Sequence, residues 1–189
     1  MGLMKYLREA WRKPDVLALR ARMIDWRKDG AITRVEKPLR LDRARGLGYK
    51  AKKGVVVVRV KIKRGGHHRS RPNKARRTKR LHIRKNLRMN YQEIAETRVN
   101  RKYNNMEVLG SYWVGKDGMN YFFEVILVDR SEPGILVDKQ LGEFVRAPKK
   151  RALRGLTSSG KKARGQQRNS REKVPKAFPS LRANRRRGN

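Results

Sequence analysis

Residues 90–129 read NYQEIAETRVNRKYNNMEVLGSYWVGKDGMNYFFEVILVD, and this stretch decides the fold. Asn90 followed by Glu93 fits a capping box, and Tyr91, Ile94, Ala95, Val99 and Tyr103 then recur at helical spacing. A helix over 91–103 is predicted. After Met106 the chain reads as a strand from Glu107 to Val114. Lys116-Asp117-Gly118 supplies a turn, and a second strand follows from Asn120 to Asp129. Trp113, Tyr121, Phe122 and Phe123 give this hairpin its aromatic content. The alternation around them predicts a core for most of these rings, with a base-stacking platform as the other reading.

Upstream, Val55 to Ile62 begins with four valines and then alternates Arg59, Val60, Lys61, Ile62. Half of such a strand is buried on both faces and half on one. Its expected partners are the central strands, in an antiparallel or mixed sheet crossed by the 91–103 helix. Near the N-terminus Leu3, Tyr6, Leu7, Ala10 and Trp11 form an amphipathic stripe. Pro14 suits the first turn of a second helix, Val16 to Lys28, with Gly30 as its end signal and Trp26 packed. Downstream, Ser131-Glu132-Pro133-Gly134 ends the hairpin, and a short helix runs through Leu136 and Leu141. The expectation is an α+β fold: a small antiparallel or mixed sheet with packed helices and long basic extensions. Residues 1–145 form the domain, with 64–90 a basic insertion within it, and 146–189 form an extended basic tail.

Charge explains the extensions. The 189 residues hold 52 Lys and Arg against 16 Asp and Glu, a net charge of +36 with a pI near 11.6. Like charge at this density opposes compaction, and a polyanion that releases its counterions relieves it. The charge is uneven: residues 1–42 carry +5, 43–92 carry +19 without one acid, 93–143 carry −3, and 144–189 carry +15. Two basic arms flank an acid-bearing centre, which is expected to face solvent or a neighbouring basic protein. The chain has no cysteine, so disulfides, thiolate metal sites and cysteine nucleophiles are excluded. No apolar run approaches a membrane span, no signal-peptide core is present, and Tyr6 stands where a myristoylation signal needs Ser or Thr. An intracellular protein of the cytoplasm is expected.

The first arm reads RGGHHRSRPNKARRTKRLHIRKN over 64–86. Gly65-Gly66 permits close backbone approach and Pro72-Asn73 marks a turn, so Arg64 to Asn73 reads as a loop. The segment 74–85 is predicted to become helical once its charges are neutralised. Arginine forks onto phosphates and stacks on exposed bases. The RNA-contact candidates are Arg59, Lys61 and Lys63 on the strand, then Arg64, Gly65, Gly66, His67, His68, Arg69 and Arg71 in the loop. Asn73, Lys74, Arg76, Arg77, Lys79, Arg80, Arg84 and Lys85 complete this arm. The second arm reads RGLTSSGKKARGQQRNSR over 154–171, where small residues let backbone amides and hydroxyls reach phosphate or ribose oxygens. Its candidates are Arg151, Arg154, Lys161, Lys162 and Arg164.

His67 and His68 invite a metal reading, but only His82 could join them and the surrounding cations repel a divalent ion. Gly46-x-Gly48 lacks the rest of a dinucleotide fingerprint, no P-loop occurs, and the carboxylates lie apart from the histidines. No catalytic residue, cofactor or small-molecule substrate is expected.

The stretches RGGHHRSRPNKARRTKR, RGLTSSGKKARG and MGLMKYLREAWRKP closely resemble the fifteen-e family of large-subunit ribosomal proteins of archaea and eukaryotes, from Met1 to about Arg164. The terminal SLRANRRRGN is similar to archaeal members. The resemblance implies an α+β domain whose extensions thread into large-subunit ribosomal RNA beside neighbouring ribosomal proteins, in a structural role. By matching position it implies RNA contact at 64–71, 74–80 and 154–164. Two other classes share the charge. A DNA-compacting protein would need a DNA-binding motif that is not seen, and an RNA-modifying enzyme would need a catalytic cluster.

Overall fold

The computed structural model describes residues 2–65, 87–147 and 149–166. A four-stranded, wholly antiparallel sheet of order β1-β2-β4-β3 forms the centre. Its strands are β1 (Ile32–Val35), β2 (Val55–Lys63), β3 (Met106–Lys116) and β4 (Asn120–Asp129). The expected hairpin is β3 and β4, joined through Asp117, whose Oδ1 accepts from the backbone N–H of Met119 and Asn120. The valine strand is β2. It pairs with β4 from Val55 opposite Val128 to Lys63 opposite Asn120, which makes β2 and β4 the two inner strands.

Helices cover both faces of the sheet, which is why β4 is apolar almost throughout. On one face α4 (Tyr91–Lys102) buries Ala95 and Val99 against Val58, Val60, Val108, Val125 and Leu127. Asn90 caps α4 by accepting from the Glu93 N–H at 2.7 Å, as the capping motif predicts. On the other face α2 (Val16–Lys28) and α3 (Leu41–Gly46) place Trp26 and Ala44 against Phe122, Ile126 and Val114. Trp26 meets Phe122 edge-on at 5.2 Å. Gly115 lets α2 lie close to β3, since a Cβ there would stand 3.3 Å from Met23 Sδ. At the end of β4, Val128 packs with Ile135 of α5 (Pro133–Leu136) and with Leu141 and Val145 of α6 (Lys139–Arg146).

Several expectations change. The start of α2 is capped by Asp15, whose Oδ1 accepts from Leu17 N at 2.9 Å; the helix begins after Pro14, and Asp29 rather than Gly30 closes it. The apolar stripe of α1 (Leu3–Arg12) buries no residue, and Leu3 and Tyr6 are 61% and 63% exposed. Trp113 is 40% exposed although Tyr112 and Val114 beside it are buried. The strand is irregular between Trp113 and Gly115, so its side chains do not alternate cleanly there. The short helix expected through Leu136 and Leu141 is two helices. β1 and α3 come from stretches with no readable period.

The largest difference lies in the second arm. Residues 149–166, expected as part of an extended tail, fold back on the domain and end in α7 (Ser158–Ala163). Ala152 joins the core beneath α4. The rest of the tail, and residues 66–86, lie outside the described residues.

Candidate nucleic-acid interface

The described basic candidates divide into cations with internal partners and cations facing outward. Arg59 pairs with Asp29 at 2.6 Å and stacks 4.7 Å over the Trp26 ring. Lys61 donates to the carbonyls of Arg27 and Asp29 at 2.8 and 2.7 Å, meeting the negative end of α2. Both fix α2 to the sheet. Arg64 donates to the Asp117 carbonyl at 2.6 Å and lies 5.0 Å over Tyr121, while Gly65, at φ +62°, donates its N–H to the Tyr91 hydroxyl. The first arm therefore leaves the sheet at a ring-lined corner. Lys63, by contrast, is exposed. The candidates from Gly66 to Lys85 lie outside the described residues, as do His67, His68 and His82.

In the second arm two of the hydroxyls expected to meet RNA, those of Thr157 and Ser159, face the protein instead, while Ser158 is exposed. Glu96, 1% exposed, accepts from the hydroxyls of Ser111, Thr157 and Ser159; the last two lie at 2.5 and 2.6 Å. Thr157 also caps α7, accepting from the Gly160 N–H at 3.2 Å. Gly155 sits at φ +66°, and a Cβ on Gly160 would come within 2.8 Å of the Gly155 backbone. The small residues of RGLTSSGKK are thus required by a tight turn against α4. Glu107 holds the same arm from the other side, accepting from Lys150 N and Arg151 N at 2.8 Å each. Arg151 lies 4.8 Å over Phe144, and Arg164 donates to the Arg154 carbonyl at 3.2 Å. Arg154 and Arg164 are half-buried, whereas Lys161 and Lys162 are exposed.

The acid-bearing centre does not face solvent as expected. Glu93, Glu96, Glu107 and Glu124 are each at most 3% exposed. Glu124 accepts from the Tyr112 hydroxyl at 2.6 Å and from Leu39 N at 3.0 Å. Burial raises its pKa, against those two hydrogen bonds. Burial and the adjacent Glu124 push the Tyr112 phenol far above its usual value. Burial, and then the neighbouring Glu96, push Glu93 up to about 7, with Arg164 and Arg88 pulling it down. Asp138 takes Lys50 at 2.7 Å and Lys52 at 2.9 Å, and these ammonium groups hold its carboxyl well below the usual range. Many of the acids thus serve as internal anchors, and the outward charge is more basic than the sequence total implies.

This arrangement has relatives of known kind. The family model described as Ribosomal L15 matches residues 2–184. The chain belongs to this L15e family. Among curated relatives, the large ribosomal subunit protein eL15 of Methanospirillum hungatei is 50% identical over 186 residues, covering 95% of this chain and 94% of its own. Those of Methanocorpusculum labreanum and Methanocella arvoryzae are 50% and 44% identical, over 85% and 97% of this chain and 84% and 96% of theirs. Membership of the L15e family makes the protein a ribosomal, structural one and not an enzyme. It also bears out the resemblance seen in the sequence. Among the described residues of this L15e chain, no helix is long and apolar enough to cross a membrane.

Proposed function

We propose that this protein is a structural component of the large ribosomal subunit in the cytoplasm, and that it binds ribosomal RNA through its basic arms beside neighbouring ribosomal proteins. The observation that carries the reading is the separation of charge. Buried carboxylates hold the core and the 149–166 segment together, while exposed cations such as Lys63, Lys161 and Lys162 face outward. Such a surface displaces condensed counterions from a polyanion. The 50% identity to large-subunit proteins over 95% of the chain supports the ribosome as the setting. DNA compaction is not favoured, since the relatives are ribosomal.

RNA contact is proposed for Arg64 to Arg71, Lys74 to Arg80, Arg84 and Lys85, and for the outward cations of 151–164. Arg59 and Lys61 contribute by holding the strand and α2 from which the first arm departs. The test is a titration of a large-subunit RNA transcript with the Arg76→Ala, Arg77→Ala double variant at several salt concentrations. Affinity is expected to fall, and the log–log salt slope to shrink by roughly 0.7–0.9 for each phosphate no longer neutralised. An unchanged slope would count against contact at these positions.

A further inference from the structure

β3 is one of the two outer strands of the sheet, and among the described residues no strand lies along its free edge. Along that edge, from Leu109 to Trp113, α1 and α3 on one side and α4 with α7 on the other leave a groove of about 550 Å³. An adjoining cleft of about 250 Å³ shares Arg8, Arg40, Asp42 and Arg43 with it, and the two form one furrow. Arg8, Arg12, Arg43 and Lys162 line this furrow, are exposed, and pair with no carboxylate among the described residues.

The two acids in the walls do not offset these cations outwardly. Glu96 is occupied by three hydroxyls. Asp42 is 4% exposed and takes Arg40 Nη2 on Oδ2 at 3.3 Å, and its Oδ1 is buried away from the furrow surface. Trp113, at 40% exposure, is the most open large ring of a wall that also holds Leu47, Leu109 and the buried Tyr112 beside the cations.

We propose that this furrow receives an unpaired stretch of RNA, with a base stacked on Trp113 and the flanking phosphates on Arg8, Arg43 and Lys162. The proposal rests on the RNA-binding function above and adds a site at the sheet edge that shares only the 158–162 segment, through Lys162, with the basic arms. Cations without partners call for a polyanion, and an exposed indole gives any base a stacking face. The groove has the volume of a small-ligand site, roughly 300–1,000 Å³. It admits a single nucleotide, and a duplex cannot enter. A peptide strand added to the β3 edge suits the groove less well, because Gln92 Nε2 already donates to the Ser111 carbonyl on that edge at 2.8 Å.

The test uses the full chain and a large-subunit RNA transcript. Trp113→Leu is expected to weaken binding about ten-fold, the effect of removing one stacked ring. The salt slope should stay unchanged, since every phosphate keeps its cation, and Trp113→Phe should restore most of the affinity. Arg43→Ala should instead reduce the slope by roughly 0.7. Ultraviolet crosslinking of the wild-type complex should join Trp113 to an unpaired nucleotide, a readout that stands even where a variant fails to fold. Wild-type affinity in Trp113→Leu, with no crosslink at 109–113, would overturn the furrow while leaving the arms intact. So would a crosslink from Trp113 to another protein in assembled subunits. Failure of the wild type to bind the transcript would instead overturn the wider RNA-binding reading.

Discussion

Glu93 is a carboxyl in a chain of charge +36, yet it lies beside a second carboxyl, and its Oε2 has no hydrogen-bond partner among the described residues. Its pKa is raised from 4.5 to about 7 by burial and by Glu96, so the folded state keeps a proton there that the unfolded state releases. The native form binds more protons at this group across that interval, so its contribution to the unfolding free energy falls as pH rises from about 4.5 to 7. Below the interval both states are protonated and the contribution is level. Glu93→Gln removes this part of the decline, so urea midpoints at about pH 5 and about pH 7.5 should lie closer together in the variant. Equal gaps in variant and wild type would show that the proton sits elsewhere. None of this is legible in the residue string. The hydroxyls of Thr157 and Ser159 look available for RNA because their acceptor, Glu96, stands about sixty positions earlier in the chain. Trp113 looks like core from the alternation alone; Gly115 close by carries the bulge signal that the alternation overrides, and the register shifts there.

Elements with a strong period are readable. The capped α4, the β3–β4 hairpin and the valine strand β2 each carry enough apolar residues at one spacing to state their type. β1, with four residues, and α3, with six, are too short for a period to emerge, and only β2 and the sheet face define them. The α7 segment escapes reading for another reason. Its glycines and hydroxyls match a loop composition, and only the contact with α4 makes them a packed turn. That packing sets a clear expectation for Gly160→Ala. The added methyl meets the Gly155 backbone at 2.8 Å, and backbone yields poorly, so the variant should lose about 1–3 kcal/mol by overpacking. Denaturant unfolding measures the loss. Faster proteolysis between α6 and α7 would locate it, and unaltered stability would mean the turn shifts freely.

For the whole molecule, turning carboxylates inward leaves an excess of cations outside with nothing in the free protein to offset them. The isolated chain should therefore gain stability with ionic strength, as screening weakens the repulsion. Thermal midpoints should rise between roughly 0.05 and 0.5 M potassium chloride. A falling midpoint would indicate that internal pairs such as Arg59–Asp29 dominate instead. The charge map in the sequence locates the arms but not this inversion, because the sign of a segment does not say which way its side chains face.

The sheet order also has a consequence in time. β2 takes its inner place only when β4 arrives, and the 56 residues between Lys63 and Asn120 must be made first. At ~5–20 residues per second this takes about 3–11 s. Through that interval the nascent valine strand has only the four residues of β1 to pair with, and its other edge lies open. Synthesis of this protein thus includes a period in which a valine-rich strand presents an open edge, the condition under which strands pair with other chains.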